Sequence, residues 1–264
     1  MIKEFSIAVT GFLLLSGFII AYGRPGPPDI SRHFEARTHN SVRGGSLPYR
    51  LMKPANFDTS KKYPLVLFLH GAGERGTDNR KQLVVGLNIF ADPERIDRYP
   101  CFIVAPQCPE EDKWADVDWK ADSHVMTDKP TPSLAMALEI VSHLQKEFPI
   151  DPERLYITGY SMGGFGTWDA IQRYPKLFAA AVPVCGGGDE TAAGRIIHVP
   201  IWAFHGALDD IVPVSRSRNM INTIVSSGGV PRYTEYPAIN HFCWGLAFSN
   251  TAMLEWLFSK KQNK

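Results

Sequence analysis

Leu155-Tyr156-Ile157-Thr158-Gly159-Tyr160-Ser161-Met162-Gly163-Gly164-Phe165-Gly166 is the stretch that decides how this chain folds. A short apolar, strand-like run ends in Gly159-Tyr160-Ser161-Met162-Gly163, and a segment of helical character follows. Gly-x-Ser-x-Gly between a strand and a helix is the pattern of a nucleophile elbow, a tight turn that exposes the serine hydroxyl. The serine is held in a strained backbone conformation there, and side chains two residues to either side would collide with the flanking strand and helix. The five-residue pattern alone is common by chance. The strand before it and the helix after it give it weight.

Outward from this turn, strand-like and helix-like segments alternate. Before it, 33–38 and 47–54 read as two strands joined by a Gly44-Gly45 turn. Segments 64–69 and 101–105 are continuous apolar runs, as expected for strands buried on both faces of a parallel sheet. Segment 134–148 has helical periodicity and stops before Pro149. The elbow strand reads as 155–158 and its helix as 165–174, ended by Pro175. Beyond it come strands at 178–184, 201–204 and 232–236 and helices at 214–226 and 251–258. The fold class is therefore α/β: a mostly parallel sheet flanked by helices, with an antiparallel hairpin at its N-terminal edge. Functional residues of such a sheet are expected at the carboxyl ends of its strands.

The 264 residues suit one large domain, and 44% hydrophobic against 21% charged residues is enough to build a packed core. A formal net charge of +1 with no basic stripe argues against a nucleic-acid partner or a membrane-surface footprint. Residues 7–21 are nearly all apolar, short for a membrane span and right for a signal-peptide core, with small residues Ala21 and Gly23 spaced for cleavage before Arg24. The expected organisation is a signal peptide at 1–23, a Pro/Gly-rich linker at 24–31 and one catalytic domain at 32–264. The chain would then be secreted or periplasmic, or membrane-anchored if the leader stays on. No stable membrane partner is expected unless the leader is uncleaved.

A serine hydroxyl is a weak nucleophile at neutral pH and needs a base within hydrogen-bond reach and a third group to orient that base. After Ser161 the chain offers His205-Gly206-Ala207-Leu208-Asp209-Asp210, following a buried strand, and Asn240-His241-Phe242-Cys243-Trp244, following the last strand. The order serine, acid, histidine, each at a strand end, is that of the elbow-type hydrolytic site. Of eight histidines, His241 is the expected base. His70 and His205 each precede a glycine at a strand end and read as structural; His33, His39, His143 and His198 lie away from the expected site. Asp209 is the expected orienting acid, and Asp210 a solvated or loop-bracing neighbour.

The developing oxyanion needs donors, each worth about 3–4 kcal/mol. The amides of Met162, at the start of the elbow helix, and Ala72, in the Gly-rich loop after 64–69, are the candidates. That loop is not a phosphate cradle, since no Gly-Lys-Ser/Thr follows. Trp114, Trp119 and His124 in the 110–132 loop, with Trp244, are candidate substrate contacts. For the two loop tryptophans, a flap packed over the sheet is an equal alternative. Glu74 and Arg75 read as a loop-bracing ion pair or as contacts to a polar substrate. Of four cysteines, Cys101 and Cys108 are too far apart along an extended segment to bridge, while a Cys185–Cys243 bridge is left open. No cofactor motif is present, and no His/Cys/Asp group has metal-ligand spacing.

Together, Leu69-His70-Gly71-Ala72-Gly73-Glu74-Arg75-Gly76, Gly159-Tyr160-Ser161-Met162-Gly163-Gly164-Phe165-Gly166-Thr167-Trp168 and Trp202-Ala203-Phe204-His205-Gly206 with Asp209 resemble the phospholipase/carboxylesterase-like α/β-hydrolases. These include secreted esterases and peptidases related to polyhydroxybutyrate depolymerases and feruloyl esterases. Pro106-Gln107-Cys108-Pro109 and residues 232–237 add to the likeness, which spans about residues 46–258. The resemblance implies ester hydrolysis through an acyl-enzyme with Ser161, Asp209 and His241. Ile239-Asn240 departs from it, because such proteins usually carry a glycine before the histidine. The expected substrate is a small-molecule or polysaccharide-linked ester. A serine peptidase of the same fold is the second reading, which a gating domain would favour. A non-catalytic hydrolase-fold binding protein is the third, and it predicts a broken triad.

Overall fold

The computed structural model describes residues 29–262. The expected leader and the first part of the linker lie outside the described residues. Among the described residues no helix is long and apolar enough to cross a membrane.

The N-terminal hairpin pairs β1 (Glu35–Asn40) with β2 (Ser46–Met52), and the turn between them places Gly44 and Gly45 at φ 97° and 85°. Strand β1 starts two residues later than the periodicity predicts, because Ser31–His33 closes a single 3-10 turn. There follow β3 (Tyr63–Leu69), α1 (Asn88–Ala91), α2 (Pro93–Arg98), β4 (Phe102–Pro106), α3 (Pro132–Glu147), β5 (Ile150–Tyr160) and α4 (Met162–Arg173). The chain ends with β6 (Ala180–Val184), β7 (Trp202–Gly206), α5 (Ser215–Ser226), β8 (Arg232–Tyr236), α6 (Trp244–Ser249) and α7 (Thr251–Phe258). These strands form one eight-stranded sheet in the order β1-β2-β4-β3-β5-β6-β7-β8. Only the β1–β2 and β2–β4 pairs are antiparallel.

Both faces of the sheet are covered, so β3, β4 and β6 are buried at every position. In β3, Leu65, Leu67 and Leu69 pack with Leu134, Ile140 and Leu144 of α3, Trp168 of α4 and Met220 of α5. Val66 and Phe68 point the other way, onto Phe90 of α1, Phe248 of α6 and Leu254 and Leu257 of α7. Helix α3 begins where Thr131 accepts from Leu134 N and Pro132 occupies the first turn.

The elbow departs from local propensity in an informative way. Helix α4 begins at Met162, three residues before periodicity places it, although Gly163, Gly164 and Gly166 are poor helix formers. A Cβ on Gly163 would strike the Leu69 carbonyl, and one on Gly164 would strike the Val184 carbonyl. The glycines are there because the helix start lies directly against the ends of β3 and β6. Strand β5 likewise starts at Ile150, earlier than expected, because Tyr63 pairs with Ile150 before the ladder resumes at Leu65.

Candidate active site

Ser161 sits between β5 and α4 with φ 54° and ψ −120°, the strained conformation that the flanking glycines imply. Its amide donates to Val184 O at 2.9 Å and its carbonyl accepts from Phe165 N at 3.1 Å, so the turn is fastened on both sides. The hydroxyl lies 2.9 Å from His241 Nε2. The other nitrogen, Nδ1, donates to Asp209 Oδ2 at 2.7 Å. The residues expected to act together, 80 and 32 positions apart in sequence, therefore form one hydrogen-bonded chain.

Asp209 follows β7 in a tight turn, and its side chain is fully buried. Its Oδ1 accepts from Ile211 N at 3.0 Å and Val212 N at 2.8 Å, while Oδ2 takes His241 and, at 3.1 Å, His205 Nε2. Burial pushes this carboxyl upward, but hydrogen bonds from His205, His241 and Val212 N outweigh it and hold the group well below the usual carboxylate range. The acid is thus an anion whenever the protein is folded near neutral pH. Asp210, its neighbour, is exposed and takes no part. His241 opens a 3-10 turn capped by Asn240, whose side chain accepts from Phe242 N at 3.2 Å. Asn240 therefore does local work at the position where the resembled proteins usually carry a glycine.

For the oxyanion, Met162 is the first residue of α4, where a helix N–H has no partner within the helix. Ala72 opens a 3-10 turn (Ala72–Glu74) at the end of β3. The loop holding it is pinned: Gly76 N donates to Cys108 O at 2.9 Å, and Gln107 Nε2 to Glu74 O at 3.2 Å. Arg75 braces the loop too, but not by pairing with Glu74. Its Nε donates to Ala72 O at 3.1 Å, its Nη1 to Glu110 O at 2.7 Å, and its guanidinium lies over Trp119. Its guanidinium is taken by backbone carbonyls of its own loop and of the neighbouring one.

The candidate substrate contacts divide. Trp114 is a correction: it is 0% exposed, inside the main core, and its Nε1 donates to His70 O at 3.0 Å. It belongs to the packing beneath the Ala72 loop, the flap alternative, and is not a pocket wall. Trp119 is half-buried against the same core, between Arg75 and Lys113. His124 accepts from Arg216 through Nδ1, and burial together with the Arg216 cation pushes its pKa down to about 4. Its ring lies 6.2 Å from that of Phe165 on the elbow helix. Trp244 is half-buried with its ring perpendicular to His241, centroids 5.3 Å apart.

Four other histidines have partners of their own. His39 pairs with Glu139 at 2.9 Å, His198 bonds Pro175 O at 3.1 Å, and His143 lies 3.6 Å from Glu147. His70 donates from Nδ1 to Gly71 O at 2.6 Å and accepts from Cys108 N at 3.0 Å, tying the end of β3 to the loop after β4. The open possibility of a Cys185–Cys243 bridge is not realised, because all four cysteines are free and buried. Cys185 Sγ, Asp209 and His241 have ligand atoms within 4.8 Å of one another, and the last two are joined by the Nδ1–Oδ2 hydrogen bond. Sequence periodicity did not single out Arg216 and Ser217, fully buried on α5 beside this site. Two consecutive polar residues on the inner face of an otherwise amphipathic helix were the available signal.

Residues 123–196 match the model of the prolyl oligopeptidase family. A solved structure of a thermostable esterase shares 41% sequence identity and superposes with a TM-score of 0.82, covering 88% of this chain and 64% of that one. An uncharacterized secreted protein of Arthroderma benhamiae is 26% identical over 78% of this chain. A bifunctional acetylxylan esterase/xylanase of Neocallimastix patriciarum is 36% identical over 28% of it. This chain spans 25% of the first of these two curated relatives and 11% of the second.

Proposed function

We propose that this chain, an α/β-hydrolase of the esterase/peptidase family, is a secreted serine esterase acting on short-chain or carbohydrate-linked esters. The observation that carries the reading is the unbroken hydrogen-bond chain from Ser161 through His241 to Asp209. In this mechanism His241 Nε2 takes the Ser161 proton as Oγ attacks the ester carbonyl, and buried Asp209 stabilises the imidazolium. The amides of Met162 and Ala72 receive the oxyanion. The imidazolium then returns its proton to the departing alcohol oxygen, leaving an acyl-serine that water, activated by His241, hydrolyses.

Because His241 hands its proton to the alcohol, the alcohol leaves on the side of the imidazole. There Trp244 stands edge-on to it and Phe242 is 60% exposed. A 270 Å³ pocket lined by Gly86, Asn88, Arg95 and Phe248 shares Trp244 with this side, and none of Ser161, Asp209 or His241 lines it. Aromatic rings beside the imidazole favour a sugar or aryl alcohol. The apolar run at 7–21, read as the core of a signal peptide at 1–23, supports export.

The match to the prolyl oligopeptidase family supports the second reading, a peptidase using the same residues. Hydrolysis of p-nitrophenyl acetate and of dipeptidyl p-nitroanilides separates the two. The ester is the expected substrate, and Ser161→Ala lowers its turnover by about 10⁴-fold or more. Equal hydrolysis by the variant ends the assignment of Ser161. Turnover of anilides alone moves the chain to the peptidases.

A further inference from the structure

We infer that His205 is a positioning residue of this site, a buried imidazolium that bonds the same Asp209 oxygen as His241. The inference rests on the catalytic reading of Ser161, His241 and Asp209.

His205 is 0% exposed at the end of β7. Its Nε2 lies 3.1 Å from Asp209 Oδ2 and 3.1 Å from Val212 O. Its Nδ1 lies 2.7 Å from Ser217 Oγ, and that hydroxyl lies 3.0 Å from Gly186 O. Count the hydrogens along this path. Three links need one each: Nε2 to its two oxygen acceptors, Nδ1 to Oγ, and Oγ to Gly186 O. A neutral imidazole brings one N–H and the serine one O–H, so one link would set two lone pairs against each other. With the proton on Nε2, Ser217 must turn its hydrogen to Nδ1 and face Gly186 O bare. With the proton on Nδ1, the Nε2 lone pair faces both a carboxylate and a carbonyl. Only the doubly protonated ring fills all three links, and a buried polar group left facing a like partner is costly.

The surroundings carry the charge. Asp209 is a buried anion in direct contact. Across the β7–β8 ladder, Glu235 is the register partner of His205, and it is itself held by Arg218 at 2.6 Å and by the Tyr233 hydroxyl at 2.8 Å. On α5, the Arg216 guanidinium stacks over Phe165 and bonds His124 and Gly188 O. At the end of β6, burial and the neighbouring Cys243 thiol push the Cys185 thiol well up, so it adds no charge. The histidine proton never moves in the reaction. It fixes the Asp209 carboxylate that in turn orients His241.

The decisive measurement is the ring-nitrogen spectrum of histidine-labelled, full-length folded protein between pH 6 and 8. His205 is assigned by its disappearance in His205→Gln or, if that variant does not fold, by its perturbation in Ser217→Ala. Two N–H-type nitrogens on His205 are the expected result, and one bare, pyridine-type nitrogen overturns it. The spectrum requires no turnover, so it stands or falls apart from the esterase assignment. A second readout is the pH profile of p-nitrophenyl acetate hydrolysis. Removing the cation in His205→Gln shifts the ascending limb up by about 0.5–1 pH unit while kcat falls about 10–100-fold. A fall in kcat with an unmoved limb marks a merely structural role and overturns the inference.

Discussion

The ends of β3 and β7 look alike in sequence and behave differently. Each closes an apolar strand with histidine and glycine, His70-Gly71 and His205-Gly206, and each histidine is fully buried. His70 faces one acceptor and one donor, Gly71 O and Cys108 N, which a single neutral tautomer satisfies. Burial pushes its pKa down to about 4. His205 faces only oxygen atoms, one of them the Asp209 carboxylate. The same dipeptide is thus a neutral strut beneath the Ala72 loop and, at the other strand end, part of the site itself. Partners reached through the fold, not the residue, set the role.

The sharpest way to break the comparison is Asp209→Asn. Removing the anion that His205 and His241 share lowers kcat by about 10⁴-fold, through loss of the anionic partner of His241. A loss of only about tenfold would mean that the β7 end is a strut like the β3 end.

The next effect is on stability and belongs to His70. Its folded pKa lies below its ordinary value, so the folded state binds less proton than the unfolded chain. Stability is therefore complete above pH ~6.5 and is lost as pH falls toward 4, by about 3 kcal/mol for a shift of that size. Denaturant titrations of wild type and His70→Asn at pH 7 and pH 4 isolate this contribution, since His124 and Asp209 act equally in both. The gap between the two proteins is expected to narrow by that amount at pH 4. A gap independent of pH would remove the neutral strut.

The smallest effect tests what lies under the strut. Trp114→Phe keeps the packing but loses the hydrogen bond to His70 O, at a cost of about 1 kcal/mol. Its kcat/KM on p-nitrophenyl acetate stays within about twofold. A large rise in KM would return Trp114 to the substrate.

Much of this site was legible beforehand, and for local reasons. Strand and helix periodicity marked where β3, β5, β7 and β8 end, and the α/β arrangement puts strand ends on one edge of the sheet. Ser161, Asp209 and His241 could be placed together on that basis. The tryptophans could not, because an indole in a non-periodic loop fits a core and a pocket wall equally. Trp114 went to the core and Trp244 beside His241, through contacts set by residues 44 positions away in one case and by the adjacent turn in the other.

The sequence by itself determined the fold class, the elbow and the order of its three partners, since each is written in short-range pattern and spacing. Tertiary structure alone decided how α4 could start on glycines, which tryptophan is covered, and which histidine shares the Asp209 carboxylate with His241. Those depend on which distant backbone and side-chain atoms complete a buried group's hydrogen bonds. A chain folded across eight strands brings such atoms together from positions that no local pattern connects.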